Sequence, residues 1–201
     1  MSIVSYNNRS LQSVTDLEGV TKTMVLLSTQ TASSSATISF TSGIDATYPV
    51  YMFKFIDIHP ATDQTFLTFQ ADTGTNTNYN QTATTSYFTA YHGEDGSNGT
   101  LTYNTSYDEA QSTDFIYIAD RTGTDNDQCI AGTMHVFSPA STTFAKHFIV
   151  NTNCYEQSNY TSEVFVGGYF NTTTAITRFQ FKMSSGNIDA GTIKLYGIKD
   201  S

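Results

Sequence analysis

The sequence is poor in charge, in proline and in cysteine, and it contains no tryptophan. Only 13% of its 201 residues are charged, against about 25% in a typical soluble domain. Two cysteines, Cys129 and Cys154, are too few for a disulfide framework. We favour two reduced thiols, and a disulfide between neighbouring strands is the alternative.

Basic residues are scarce as well. Nine Lys and Arg stand against 18 Asp and Glu, which gives a net charge of −9. Binding to nucleic acid or to an anionic membrane surface requires a basic footprint, so neither is expected as a partner. No apolar run approaches the roughly 20 residues of a membrane span, so membrane insertion is not expected. Residues 1–10 lack the apolar core of a signal peptide.

Strand-forming residues are plentiful, with 13 Tyr and 14 Phe. The stretch 192–198 shows the pattern that recurs along the chain. Ile193 and Leu195 point to one face, whereas Thr192, Lys194 and Tyr196 point to the other. This period of two is typical of a half-buried β-strand.

Alternating or apolar segments of this kind predict an all-β protein without amphipathic helices. Strands are predicted at 24–27, 36–40, 50–58, 65–70, 86–92, 115–119, 130–138, 143–151, 163–170, 176–183 and 192–198. We expect an antiparallel, jelly-roll-type β-sandwich over residues 24–201. Residues 1–23 lack strand periodicity and are predicted to be a short N-terminal anchoring arm.

Three long polar loops are predicted at 71–85, 93–113 and 120–128, and binding sites often lie on such loops. Five tyrosines lie in or beside them and are the candidate binding residues: Tyr79, Tyr87, Tyr91, Tyr103 and Tyr107. Exposed tyrosines can stack on sugars and hydrogen-bond to them. Packing between protomers explains the same residues equally well, so both interpretations stay open.

Residues suited to metal binding or catalysis are present but not in a recognisable pattern. Asp120, Asp125 and Asp127 suit either a calcium loop or a solvated turn, and we favour the turn. His135 and His147 lie on successive predicted strands, yet no Glu lies near them. No nucleophile motif or paired carboxylates can be identified. We therefore predict no metal, no cofactor and no enzymatic activity.

Two predicted strands have apolar residues on both faces. Tyr51, Phe53 and Phe55 alternate with Met52 and Ile56. Phe165 and Tyr169 similarly alternate with Val164 and Val166. A sandwich buries one face of each sheet, and monomers rarely expose large apolar patches. A second copy of the chain is the expected cover, in a homotrimer.

Residues 26–45, 53–63 and 185–198 together resemble small virion structural proteins of tailed, marine cyanophage-like bacteriophages. The resemblance implies a location in the virion and no catalytic residues. The expected function is that of a capsid decoration or fibre protein, with residues 1–23 bound to other capsid or tail proteins. The alternative is a receptor-binding tail protein whose lectin-like sandwich binds a host surface glycan.

Overall fold

The computed structural model describes residues 23–74, 77–97 and 99–199. These residues form thirteen β-strands and their connections. They contain no helix, and hence none that is long and apolar enough to cross a membrane. The strands are β1 (Met24–Thr31), β2 (Ile38–Phe40), β3 (Val50–Pro60), β4 (Leu67–Asp72), β5 (Ala83–Gly93), β6 (Thr100–Tyr103), β7 (Ala110–Ser112), β8 (Ile116–Tyr117), β9 (Ile130–Phe137), β10 (Lys146–Glu156), β11 (Tyr160–Phe170), β12 (Arg178–Met183) and β13 (Ile188–Ile198).

The strands form two antiparallel sheets of unequal size. The larger has nine strands in the order β1-β13-β3-β9-β10-β11-β5-β6, with β7 also paired to β5. The smaller has four strands in the order β2-β12-β4-β8. A four-stranded sheet is too narrow to cover a nine-stranded one, so part of the larger sheet's inner face extends beyond the smaller sheet.

The two sheets pack face to face through aromatic side chains. The Phe53 ring of β3 lies 5.2 Å from Phe179 and 5.1 Å from Phe181, both on β12. The Phe69 ring of β4 lies 5.1 Å from Phe148 on β10. Aromatic rings favour such tilted and edge-on contacts. The predicted all-β sandwich is thereby confirmed.

The predicted inner faces are confirmed too. Tyr51, Phe53 and Phe55 of β3 are buried, as are Ile193 and Leu195 of β13. Because β13 pairs with both β1 and β3, the last described strand lies inside the larger sheet and not at its edge.

Two predicted loops overlap strands of the structure. The predicted 93–113 loop contains β6 and β7, which the sequence pattern missed, and the predicted 71–85 loop overlaps the end of β4 at Asp72 and the start of β5 at Ala83. Every residue of β6 is exposed, because β6 lies at the edge of the larger sheet. A strand without a buried face has no apolar alternation to detect.

The predicted strand 143–151 also has different bounds, since β10 runs from Lys146 to Glu156. Its final inward residues are Thr152, Cys154 and Glu156, all buried. Two of the three are polar, so the hydrophobic pattern ends before the strand does. This extension places Glu156 at the end of the sandwich.

Two further predictions concern connectivity and the N-terminus. The strand order does not establish jelly-roll connectivity, because the consecutive strands β9, β10 and β11 are direct neighbours in one sheet. The arm predicted at residues 1–23 lies outside the described residues except for Thr23.

Candidate functional site

A polar cleft of about 450 Å³ opens at one end of the sandwich. Its floor continues the inner face of the larger sheet, since Ser162 precedes the buried Val164 and Val166 along β11 with the same alternation. The cleft is lined by Thr89, Tyr91, Thr102, Asn104, Tyr107, Asp120, Arg121, Glu156, Ser158, Tyr160 and Ser162.

The segment that follows β8 connects the two sheets at the cleft. The Thr122 amide donates to the Thr65 carbonyl at 3.0 Å, beside the smaller sheet. Thr122 also bridges to Glu156 at the end of β10, in the larger sheet. The Gln157 amide donates to the Arg121 carbonyl at 3.2 Å. Asp120 and Arg121 are therefore held between the sheets by backbone hydrogen bonds.

Side chains from three neighbouring strands fix this segment to the sheet. The Tyr87 hydroxyl on β5 donates to the Ala119 carbonyl at 3.0 Å. The Thr152 hydroxyl on β10 donates to the Ile118 carbonyl. The Ser162 hydroxyl on β11 donates to Asp120 Oδ2 at 2.9 Å. Three polar groups on the inner face are thus paired, as buried polar groups require.

Arg121 brings two acidic side chains into one cluster. Its Nε lies 3.4 Å from Glu156 Oε1 and 3.8 Å from Asp120 Oδ1. The Glu156 and Asp120 side chains are 5% and 12% exposed, whereas that of Arg121 is 50% exposed. Asp120 Oδ1 also accepts from the Arg121 amide at 2.9 Å, and a Glu156 oxygen accepts from the Ser158 amide. Asp120 and Glu156 are 36 positions apart in the sequence, so no local pattern indicates that Arg121 contacts both of them.

Tyrosines form the aromatic part of the cleft. Tyr91 on β5 and Tyr160 on β11 meet edge to face, with ring centroids 5.9 Å apart. The Tyr107 ring lies 5.4 Å from Tyr87 and 4.8 Å from Phe66. Burial raises the pKa of the Tyr107 hydroxyl, so this group is neutral at physiological pH.

The five tyrosines predicted from the sequence do not form one surface. Tyr91 and Tyr107 line the cleft. Tyr87 and Tyr79 are buried, so the expectation that they are exposed loop residues is wrong. Tyr87 is an inward residue of β5, and the pKa of its hydroxyl is raised by burial. Tyr103 is 53% exposed on the edge strand, where its hydroxyl donates to Asp108.

The acidic loop and the histidine pair do not form metal sites in the described structure. Within residues 23–74, 77–97 and 99–199, no three His, Cys, Asp or Glu side chains come together as ligands. The Asp125 backbone closes a turn with Gln128 at 2.9 Å. His135 pairs with Ile149 across β9 and β10, so His147 is its diagonal neighbour and not its direct partner.

Both cysteines are free, so the alternative of a disulfide is wrong. Cys129 lies opposite Tyr155, whose amide donates to the Cys129 carbonyl at 3.1 Å. Cys154 immediately precedes Tyr155 on β10, and successive residues of a strand point to opposite faces. The two thiols therefore point away from each other.

A second candidate surface is the outer face of the larger sheet. Leu26, Phe137 and Ile149 are 50%, 37% and 56% exposed there. The strand registers place them in two adjacent rows, Met24–Ile198–Val50–Phe137 and Leu26–Tyr196–Met52–His135–Ile149. On the same face, Phe165 stacks on Phe88 with centroids 5.2 Å apart. The sequence-based expectation of apolar residues on both faces is confirmed.

Charged residues of opposite sign border this outer face. Lys54 and Lys194 are direct cross-strand partners on β3 and β13. Glu163 lies on β11, where its oxygens accept from Asn151 at 2.7 Å and from Asn153 at 3.0 Å. Two positive charges thus lie toward one side of the sheet and a negative charge lies toward the other.

Comparisons with known proteins give no family for this chain, since no family model, no curated protein and no solved structure matches it.

Proposed function

We propose that the chain is a non-enzymatic structural protein of a tailed-phage virion, either a capsid decoration or a fibre protein. Residues 1–23 anchor it to other capsid or tail proteins, and the sandwich projects as a homotrimer. The observation that carries the structural role is the outer face of the larger sheet, where two adjacent rows of mostly apolar side chains, with His135 among them, cross several strands.

The pattern of charge supports self-association through this face. In a cyclic trimer each contact joins two different surfaces of the subunit. The Lys54–Lys194 side of one copy then meets the Glu163 side of the next, and the apolar rows are covered between them. In this contact the Glu163 carboxylate of one copy faces the paired lysines of the next as they are removed from bulk solvent. Opposite charges across the interface favour one defined register between the two copies.

The hydrogen bonds of the acidic residues in the cleft favour a non-enzymatic function over glycosidase activity. Hydrolysis of a glycoside requires one carboxylic acid that donates a proton to the leaving group. Here Asp120 accepts from Ser162 and from the Arg121 amide, and Glu156 accepts from the Ser158 amide. Both acidic groups also contact the Arg121 guanidinium. They act as hydrogen-bond acceptors that shape the site.

Mass spectrometry of purified phage particles encoded by the genome that carries this chain tests the virion assignment. We expect the chain among the particle proteins in a multiple of three copies. A variant lacking residues 1–23 should fold but be missing from the particles. Particles that contain no copy of the full-length chain would contradict the proposal.

The second candidate function is that of a receptor-binding tail protein with a carbohydrate-binding sandwich. The specific observation in its favour is the cleft, which combines the Tyr91–Tyr160 aromatic pair with Asp120, Arg121 and Glu156. The two candidates share a location in the virion and differ in whether this cleft binds a ligand.

A further inference from the structure

We infer that the cleft binds one unit of an uncharged saccharide, and that Arg121 and the Tyr91–Tyr160 pair are its main contacts. This inference deepens the carbohydrate-binding candidate by naming the site and the class of ligand. It rests on that candidate function and is independent of residues 1–23 and of the trimer.

The dimensions of the cleft suit a small polar ligand. Its volume of about 450 Å³ lies within the roughly 300–1,000 Å³ typical of small-molecule sites. Its floor is the ordered inner face of β5, β10 and β11, whose strands pair over many residues. A floor made of paired strands is rigid, so the ligand meets a largely preformed site.

Aromatic and polar groups lie side by side in the cleft, as a saccharide requires. A sugar ring has C–H faces, which stack on aromatic rings, and hydroxyl groups at its edge. Tyr91 and Tyr160 supply both an aromatic surface and a polar tip. Asn104 accepts from the Ser106 amide through its side-chain oxygen at 3.1 Å, which turns its amide donor toward other partners.

Arg121 supplies a charged donor next to these rings. A sugar hydroxyl can accept a hydrogen bond from its guanidinium. Hydrogen bonds with one charged partner are roughly twice as strong as neutral ones. The half-exposed Arg121 is the accessible member, and the buried Glu156 and Asp120 hold it in place.

The charge balance of the cleft discriminates against acidic sugars. Asp120 and Glu156 carry two negative charges and Arg121 carries one positive charge, which leaves a net charge of −1 within the lining. The whole chain has a net charge of −9. A sialic acid or a uronic acid would bring another carboxylate into a lining of net negative charge, where like charges repel.

Isothermal titration of the full-length chain with four neutral and two acidic trisaccharides tests this inference. The neutral probes are maltotriose, mannotriose, galactotriose and N-acetylchitotriose, and the acidic probes are sialyllactose and trigalacturonate. We expect at least one neutral probe to bind and both acidic probes to bind at least about tenfold more weakly, a factor worth about 1.4 kcal/mol. Failure of every neutral probe, or equal or tighter binding of an acidic one, would overturn the inference.

Two cleft variants and two matched controls locate the binding. Arg121→Gln and Tyr160→Ala should each weaken binding of the neutral probe by about tenfold or more. Arg178→Gln, on β12 of the smaller sheet, and Tyr196→Ala, on the outer face, should leave it within about twofold. Circular dichroism of each variant confirms that the sandwich is intact. Wild-type affinity in both folded cleft variants would place the ligand elsewhere and refute the inference.

The outcome separates this inference from the virion proposal. A chain that is found in particles but binds no neutral probe retains its structural role and loses the saccharide site. A chain that binds the probe through Arg121 and Tyr160 but is absent from particles retains the site and loses the virion role.

Discussion

Arg121 and Glu156 form an ion pair in which one member is exposed and the other is buried. Their Nε and Oε1 atoms lie 3.4 Å apart, and the side chains are 50% and 5% exposed. A buried carboxylate without a cation is costly, whereas an exposed arginine without its carboxylate is not. The pair therefore links the stability of the end of β10 to the polar surface of the cleft.

A double-mutant cycle measures this link. We expect Arg121→Gln to lower the free energy of unfolding by about 1–2 kcal/mol, less than for a fully buried pair because solvent screens the guanidinium. In the Glu156→Gln background, Arg121→Gln should be nearly neutral, which corresponds to a coupling energy of about 1–2 kcal/mol. The measurement is urea denaturation of the four proteins. Additive effects of the two substitutions would show that the Arg121–Glu156 contact contributes nothing to the free energy of unfolding.

Leu195 tests the position of β13 in the core. It is fully buried between the sheets, so Leu195→Ala should reduce the free energy of unfolding by about 2–5 kcal/mol. The matched control is Leu101→Ala, because Leu101 is 69% exposed on the edge strand β6. That control should change stability by less than about 0.5 kcal/mol. A similarly small change for Leu195→Ala would mean that the last strand is not packed in the core.

Tyr51 tests how the loop before β3 is held. Its hydroxyl donates to the Asp45 carbonyl at 3.0 Å and accepts from the Asp45 amide at 2.9 Å. Tyr51→Phe keeps the buried ring and removes both bonds, so we expect a loss of about 1–3 kcal/mol in thermal or chemical denaturation. Tyr196→Phe, on the outer face, is the control and should be close to neutral. Equal effects would refute a special role of the Tyr51 hydroxyl.

The two cysteines should differ in reactivity. Burial raises the pKa of the Cys154 thiol to about 12, and it also raises the pKa of the half-buried Cys129 thiol. The thiolate is the reactive form, so at pH 8 native Cys154 should not react with a disulfide reagent, and Cys129 should react slowly. In denaturant both should react at once, and raising the pH toward 9 should accelerate Cys129 first. Rapid labelling of native Cys154, located by peptide mass spectrometry, would contradict this order.

The fold was predictable wherever one face of a strand is buried. The alternation around Phe53 and Leu195 identified inward residues that the structure buries. The edge strand β6 was not predictable, because it is exposed throughout. The end of β10 was missed for a different reason, since its inward residues Thr152 and Glu156 are polar and pair with groups that are distant in sequence.

The candidate site was predictable only in part. Tyr91 and Tyr107 lie in or beside predicted long loops, and both line the cleft. Tyr87 also lies beside a predicted loop but is buried, because loop boundaries do not show which face of a strand a residue occupies. The Asp120–Arg121–Glu156 cluster had no local sequence signal. It forms because the segment after β8 bridges the two sheets.

Removal of residues 1–23 tests the proposed division into an anchoring arm and a sandwich. The first described strand, β1, begins at Met24, and Leu27 is the first described residue that packs against the core. We expect the shortened chain to keep the circular dichroism spectrum of a β-protein and to remain soluble. Loss of the β-sheet signal would contradict the division into an arm and a sandwich.

Light scattering of the full-length chain, in chelator and reductant, measures the proposed self-association. We expect a mass three times that of the 22.1 kDa chain, because neighbouring copies would cover the apolar outer face without a metal or a disulfide. Ile149→Asp, which places a charge among the exposed apolar side chains, should yield a folded monomer. A stable wild-type monomer at 22.1 kDa would contradict self-association through the outer face of the larger sheet.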